Sequence, residues 1–375
     1  MGNMFDGCSS LTSVKFPISN KSAVTDMGSM FSGCTSLLSV DFSQFDLSNL
    51  EKLETTFYQC YNLKHVYLPR VDEGSLTNLY RTFEQCTSLQ ELDFGNFDLS
   101  KVKYLRNAFT GCSSLTSVVF PAANQTALTS MAYSFDGCSN LQTVDFSQFD
   151  LSSVTSMECA FENCYALENV KFPQADKSAL TSMYKAFFNC KKLKTLDLSH
   201  FDLSSVTGMT YMASGCTSLT SVVFPAAEKS ALTSMAYAFD GCSNLKTADF
   251  SKFDLSLVTS MECTFLNCSS LVNVIMPKVE SSSLISLYRT FSGCASLVTL
   301  DLSQFDLSKL VSAREMLYGC EGLTSVKFPS TSITQLSNAQ SMLSGCSSLA
   351  EVDLSSFVPK ADTNLWGFFN GCTSL

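Results

Sequence analysis

The chain has 375 residues, of which 45% are hydrophobic, and its 24 basic and 34 acidic residues give a net charge of −10. This acidic balance favours solubility and argues against a nucleic-acid partner. No apolar run approaches the roughly 18 residues that a membrane-spanning helix requires, and no signal peptide opens the chain.

A cysteine recurs every 26 residues from Cys8 to Cys372, fifteen times and without insertion or deletion. We call this set the cysteine ladder. Spacing this strict predicts that each 26-residue unit forms one turn of a solenoid, because an inserted loop would disturb the stacking. The sequence therefore predicts a single solenoid of about 14 turns over residues 1–375.

The residues after each ladder cysteine predict a strand. Leu follows three positions later in every unit, Val or Leu six positions later except at Ala248, and Phe, Leu or Met eight positions later. The resulting pattern, L-x-x-V-x-F, is that of a leucine-rich repeat, and its last part alternates as a half-buried strand does. It predicts one short parallel strand per turn, at Leu11–Phe16 and its equivalents.

The residues before each ladder cysteine have a different pattern. Phe lies three positions before the cysteine in twelve of the fifteen units, and Met or Leu usually lies seven positions before it. Met131, Phe135 and Cys138 share the spacing of one helix face, which predicts a short helical turn per repeat. The residue just before the cysteine is Gly, Asn or Gln, which favours a left-handed backbone at the end of that turn. The predicted fold class is an α/β repeat solenoid of the leucine-rich-repeat type.

Units alternate between two kinds, so the full repeat has 52 residues. In proline turns a proline follows the strand (Pro17, Pro69, Pro121, Pro173, Pro225, Pro277 and Pro329), and in aspartate turns the sequence D-F-S-x-F-D-L-S follows, as at 145–152. The second aspartate of this motif is predicted to hydrogen-bond its own loop, and the first to point outward for contact. Residues 347–375 form an atypical terminal repeat, which fits either capping or sequence drift. The opening within a unit at Met4 predicts a fragment of a longer protein.

The motif M-x-x-x-F-x-G-C-x-S-L-x-x-V-D-F-S-x-F-D-L-S-x-V-T-S-M resembles the 26-residue repeats of BspA-like bacterial and protist surface proteins. Met30–Ser48 and Phe135–Met157 carry the resemblance best. It implies a leucine-rich-repeat solenoid at the cell surface, often associated with adhesion, with no catalytic residues and no defined ligand. The expected location is extracellular, and the expected partner is a host or neighbouring-cell surface protein or a glycan.

Catalytic, metal and cofactor chemistry is not expected. The two histidines, His65 and His200, are more than five turns apart in the predicted stack, and a 26-residue cysteine spacing is not that of a zinc site. Parallel side chains in stacked turns oppose disulfide geometry, which predicts buried free thiols. Cys159 and Cys263 lie outside the ladder at a position that elsewhere carries charged residues, and are therefore predicted to be exposed and reactive.

The exposed side of the strands is the predicted binding surface, because curved solenoids usually bind through this concave sheet. A face that serves only solubility is the alternative. The candidate ligand-binding residues are Lys64, His65, Tyr67, Gln90, Glu91, Asp93, Asp145, Lys171 and Asp197. The leading hypothesis is a non-enzymatic adhesion module, and the second is a structural spacer or filament subunit that associates end to end.

Overall fold

The computed structural model describes residues 1–121, 128–173, 178–227 and 229–375. The chain divides by its packing into two units, Met1–Leu180 and Thr181–Leu375. The predicted single solenoid over 1–375 stays a prediction. Unit 1 contains β1 (Ser13–Lys15), β2 (Ser39–Asp41), β3 (His65–Tyr67), β4 (Glu91–Asp93), β5 (Ser117–Val119), β6 (Thr143–Asp145) and β7 (Asn169–Lys171). Unit 2 contains β8 (Thr195–Asp197), β9 (Ser221–Val223), β10 (Thr247–Asp249), β11 (Asn273–Ile275), β12 (Thr299–Asp301) and β13 (Ser325–Lys327).

Strands pair in parallel with a register of one 26-residue period. Val14 lies opposite Val40, and Val40 lies opposite Val66. The predicted parallel stacking is thereby confirmed within each unit. The strands have only three residues because a turn closes on either side: before β2 the Leu37 N–H donates to the Cys34 carbonyl at 3.0 Å, and after it the Phe45 N–H donates to the Phe42 carbonyl at 2.8 Å.

The predicted helical turn is wrong, since the described residues contain no helix. In the half of each turn that precedes the ladder cysteine, N–H groups alternate between two kinds of acceptor. One N–H donates to a carbonyl of the next turn, and the following one donates to the carbonyl three residues earlier in the same turn. The Phe31 N–H donates to the Thr56 carbonyl at 2.8 Å, whereas the Cys34 N–H donates to the Phe31 carbonyl at 3.0 Å. Two left-handed residues, Ser29 at φ 52° and Gly33 at φ 68°, prevent the continuous i−4 bonding that a helix needs. The spacing that suggested a helix instead reflects inward-facing positions of this compact turn.

The left-handed position before the ladder cysteine is confirmed, including where it is glutamine, at Gln59 (φ 59°) and Gln85 (φ 64°). A second left-handed position, five residues before the cysteine, was not predicted. It is occupied by residues as different as Arg81 (φ 54°), Cys159 (φ 50°) and Tyr237 (φ 57°). Because these types do not favour a left-handed backbone, the bonds to neighbouring turns must impose it.

Stacked phenylalanine rings form the centre of each unit. In unit 1 the rings of Phe83 and Phe109 have centroids 5.6 Å apart at 1°, and those of Phe109 and Phe135 are 5.0 Å apart at 14°. In unit 2 the rings of Phe239 and Phe265 are 5.6 Å apart at 10°. These side chains are completely buried. Each turn thus buries its aromatic group only by packing against its neighbours, as the repeat pattern predicts.

The ladder cysteines are free thiols that also act as hydrogen-bond donors. The Cys138 thiol donates to the Phe109 carbonyl in the preceding turn at 3.0 Å, and this oxygen also accepts the Cys112 N–H at 3.1 Å. The same thiol bond is made by Cys34, Cys60, Cys86, Cys112 and Cys164 in unit 1 and by Cys216, Cys242, Cys268, Cys294, Cys320, Cys346 and Cys372 in unit 2. A buried carbonyl thereby uses both of its lone pairs, which alanine at this position would not allow.

Candidate strand-face binding site

The strand face is built by the three-residue strands, whose middle side chain is buried and whose outer two point away from the core. β4 shows this pattern, with Leu92 buried and Glu91 and Asp93 exposed. The outward aspartate of each aspartate turn also accepts an N–H two residues on, as Asp145 Oδ1 does from Ser147 at 2.9 Å. The first aspartate column is therefore exposed, as predicted, and its carboxylates are oriented by the loop.

The second aspartate column hydrogen-bonds the loop, as predicted, and it also connects turns. Asp98 Oδ1 accepts the Ser100 N–H at 2.9 Å, and Asp98 Oδ2 accepts the Gly74 N–H of the preceding turn at 2.7 Å. Burial alone would raise the pKa of Asp98, but these N–H groups outweigh it and hold the pKa below the ordinary value of 3.8. The ionised carboxylate of Asp98 thus links the post-strand loops of two neighbouring turns by hydrogen bonds.

Replacing Asp98 by asparagine is expected to lower the free energy of unfolding by about 1–2 kcal/mol at pH 7, because N–H bonds to a charged acceptor are lost. A group with a lowered folded pKa stabilises above its unfolded pKa, and this contribution disappears as pH falls through the folded value. The difference between wild type and Asp98→Asn should therefore shrink below about pH 4. Urea unfolding of both proteins at pH 7 and pH 3 measures this difference in the free energy of unfolding. A difference of equal size at both pH values would show that the charge is not involved.

Lys64, His65 and Tyr67 lie together on one turn of unit 1. Lys64 is exposed, His65 is half-buried, and 52% of Tyr67 is exposed. The His65 and Tyr67 rings are stacked with centroids 6.0 Å apart. The predicted residues of the next turn, Gln90, Glu91 and Asp93, are also exposed, but β3 and β4 belong to different sheets.

The remaining predicted residues lie farther along the chain. In unit 1, Lys171 Nζ lies 3.0 Å from Asp145 Oδ2, so these two neighbours form an ion pair across one turn. Hydrogen bonding from Ser147 and the nearby Lys171 ammonium lower the pKa of Asp145. Asp197 lies in unit 2, with His200 Nε2 3.6 Å from its Oδ2. The nine candidates therefore form separate groups on a repetitive surface, and their role in binding stays a prediction.

The predicted exposure of Cys159 and Cys263 is wrong: only 2% and 1% of these residues are exposed. At the same position in the preceding turns stand Tyr133 and Tyr237, and the Tyr133 hydroxyl hydrogen-bonds Glu158 Oε1, next to Cys159, at 3.1 Å. Burial raises the pKa of both thiols. Among the charged residues at this position, Arg81, Lys185 and Arg289 are half-buried and Glu315 is buried, so charge at this position does not indicate exposure.

Three equivalent cavities on the strand side of unit 2 were not predicted, and we call them the proline niches. They lie beside Pro225, Pro277 and Pro329 and have volumes of about 310, 290 and 260 Å³. Each lies between a proline turn and the following aspartate turn, and includes the outward aspartate of the latter: Asp249, Asp301 and Asp353, respectively. They recur every 52 residues because the two kinds of turn alternate.

The proline niches form where strand pairing is incomplete. Aspartate turns pair with the next proline turn over three residues, as β10 does with β11, and the Phe250 N–H adds a bond to the Ile275 carbonyl at 2.9 Å. In the other direction β9 pairs with β10 only at Ser221 and Thr247, and β11 and β12 lie in separate sheets. Proline has no N–H with which to extend the pairing. The strands separate toward the proline and leave a cavity.

Two other kinds of site are absent from residues 1–121, 128–173, 178–227 and 229–375. Those residues contain no group of three or more His, Cys, Asp and Glu side chains that could hold a metal ion. They also include no helix with the length and apolar character needed to cross a bilayer.

The family of the chain follows from its repeats. The sequence of this chain matches a protein family described as BspA type leucine rich repeat region, with six copies. The match covers residues 2–104, 54–179 and 105–246, which together are more than half of the sequence. The chain belongs to this family. Residues 233–357 match a family described as Mycoplasma protein of unknown function. No catalytic family is indicated, and comparison with curated proteins gave no match.

Similar solved structures include two bacterial leucine-rich-repeat proteins. A leucine-rich repeat protein from Bacteroides ovatus matches with a TM-score of 0.53 and 20% identity, over 91% of this chain and 86% of the other. A leucine rich cell surface protein from Faecalibacterium prausnitzii has a TM-score of 0.46 and 20% identity, over 96% and 91% of the two chains. The first likeness supports the leucine-rich-repeat solenoid fold.

Proposed function

We propose that the chain is a non-enzymatic binding module of a cell-surface protein, and that it binds a protein or a glycan through the strand face. The observation that carries this proposal is the outward aspartate column, whose carboxylates are exposed and oriented by loop N–H groups on a rigid, closely packed core. Pre-oriented polar groups lose little entropy on binding, which favours recognition. The resemblance to BspA-like surface proteins supports the surface location.

The cluster of Lys64, His65 and Tyr67 is the proposed contact point in unit 1. It offers a cation, an imidazole and a half-exposed aromatic ring on one turn, with Asp93 on the next aspartate turn. Tyr combines a large apolar ring with a hydroxyl group, and therefore contributes much contact area at low entropic cost.

A binding screen against matrix proteins and glycans would identify a ligand, and a triple variant would then locate the site. Lys64→Glu, Asp93→Lys and Tyr67→Ala together leave the net charge unchanged, and we expect them to weaken ligand binding at least tenfold, because a central aromatic and two charges are altered. Surface plasmon resonance measures this change.

The matched control changes a lysine, an acidic residue and a tyrosine away from the strand face: Lys103→Glu, Glu51→Lys and Tyr61→Ala, all at exposed positions. We expect it to bind as the wild type does. If both triple variants bind equally well, the site does not lie on the strand face.

Self-association is the second candidate function. An apolar cavity of about 380 Å³ is lined by residues that include Leu354, Phe357 and Phe368, and Trp366 on the same turn is 73% exposed. Apolar surface of this kind favours contact with another protein chain. An open-ended rise of molecular mass with concentration supports a filament subunit, whereas a constant monomer mass supports the binding module.

A further inference from the structure

The proline niches combine an apolar wall with a carboxylate at the rim. In the niche beside Pro277, the buried Phe305 ring and Pro277 form the apolar part, and Asp301 lies opposite Ile275. Asp301 Oδ1 accepts the Ser303 N–H at 2.9 Å, which orients the carboxylate. A side chain with an apolar stem and a cationic end matches this combination, and lysine and arginine are such side chains.

The chain itself contains the ionic part of this contact, made from the next turn and outside the niche beside Pro277. Asp301 is in register with Lys327 of the next turn, whose Nζ lies 3.7 Å from Asp301 Oδ2. In unit 1 the equivalent pair is Asp145 and Lys171, at 3.0 Å. Lysine therefore already serves as a partner for this aspartate column wherever the following proline turn supplies one.

Two members of the column in unit 2 have an apolar register partner on the next turn: Asp197, opposite Val223, and Asp249, which also lines a proline niche. The register partner of Asp249 is Ile275, which is 44% exposed, and Asp249 Oδ1 accepts the Ser251 N–H at 2.8 Å. Lys252 also lines this niche, beside Pro225 and Phe253. Asp249 thus has no lysine at the register position that Lys327 holds beside Asp301, so a cationic side chain in the niche beside Pro225 can contact this carboxylate.

The repeat of the niches restricts the shape of that ligand. Equivalent niches are two turns apart, which is about 9.6 Å at the usual strand separation. A polyproline II chain has three residues per turn and rises about 9.3 Å over them, so every third side chain points in the same direction. A β-strand does not meet this requirement, because residues three apart point to opposite faces.

We propose that the proline niches bind the lysine or arginine side chains of a polyproline II segment that carries a basic residue at every third position. The inference rests on the proposed binding function of the strand face and names its partner class. The net charge of −10 favours a cationic partner over a longer range.

A labelled peptide of five Lys-Pro-Pro triplets tests the proposal by fluorescence anisotropy with the 375-residue chain. Asparagine keeps the Oδ1 acceptor but removes the charge, so the variant with Asp249→Asn, Asp301→Asn and Asp353→Asn should bind about tenfold more weakly. Lys327→Met should bind more tightly than the wild type, because it frees Asp301. A peptide of the same composition with irregular lysine spacing should bind several-fold more weakly than the regular one.

The matched control is Glu280→Gln, Glu321→Gln and Asp362→Asn, which removes three exposed carboxylates outside the column and should leave binding unchanged. Equal losses in the two triple variants, or equal binding of the two peptides, would mean unspecific charge attraction and overturn the proposal. Absence of regular-peptide binding would overturn it too. A screened ligand that still depends on Lys64 and Tyr67 would leave the proposed function standing in that case.

Discussion

Replacing Phe109 by alanine is expected to lower the free energy of unfolding by about 3–5 kcal/mol. The Phe109 ring is completely buried and stacks on Phe83 at 5.6 Å and on Phe135 at 5.0 Å. Alanine would leave a cavity between two rings that cannot approach each other, because backbone bonds fix the turn separation. Urea unfolding followed by circular dichroism measures the loss.

Two further variants make the Phe109 prediction specific. Phe109→Leu should cost clearly less than alanine, since Leu317 and Leu343 are buried at the same position of other turns. Tyr104→Ala, at a ring that is 45% exposed, should cost at most about 0.5 kcal/mol. If Phe109→Ala were no more destabilising than Tyr104→Ala, the aromatic column would not be the core of this unit.

Native thiols are expected to divide sharply in their reaction with a thiol reagent at neutral pH. Cys8 is exposed and Cys372 is half-buried, and the other fifteen of the seventeen cysteines are buried. Burial raises the pKa of the Cys60 thiol to about 12, and raises the pKa of Cys138 and Cys164 as well. Because the thiolate is the reactive form, we expect rapid labelling of Cys8, slower labelling of Cys372, and labelling of the rest only after unfolding.

The labelling of Cys159 and Cys263 in the native chain is the decisive part of this prediction. Mass spectrometry of the labelled peptides shows which cysteines carry the reagent. Cys8→Ala should remove the fast phase, whereas Cys159→Ala should leave it unchanged. Tyr133→Ala should increase the labelling of Cys159, because it removes the large side chain at the same position of the preceding turn. Labelling of Cys159 at the rate of Cys8 in the native chain would contradict the burial of this position.

The stacking was predictable from the sequence because a fixed period places the same chemistry in the same place in every turn. The inward position of Val40 and the outward position of Asp41 followed from strand alternation alone. The buried phenylalanine and cysteine columns followed from the same period. The family could be recognised for the same reason.

The backbone conformation of the residues that precede each ladder cysteine was not predictable from the spacing of their apolar side chains. Met131, Phe135 and Cys138 face inward whether the backbone is helical or bonds alternately to its own turn and the next. The left-handed φ of 57° at Tyr133 decides between these conformations, and tyrosine gives no sign of it in the sequence. The burial of Cys159 was missed because charged residues at the same position of other turns suggested exposure.

The proline niches were missed because they depend on pairing between turns. A proline predicts the loss of one donor, but not how far two strands separate as a result. β1 and β2 pair over three residues although Pro17 follows β1, whereas β11 and β12 do not pair and Pro277 follows β11. The separation is therefore set by the packing of the whole turn as well as by the proline.

Anomalous scattering from sulfur in a crystal of the chain tests most directly whether residues one period apart lie over one another. The sulfur atoms of Cys34, Cys60, Cys86, Cys112 and Cys138 should form a single file with steps of about 5 Å, the separation of neighbouring strands. Cys159 should lie outside this file. Sulfur positions without such regular steps would contradict the solenoid, and with it both proposals for the strand face.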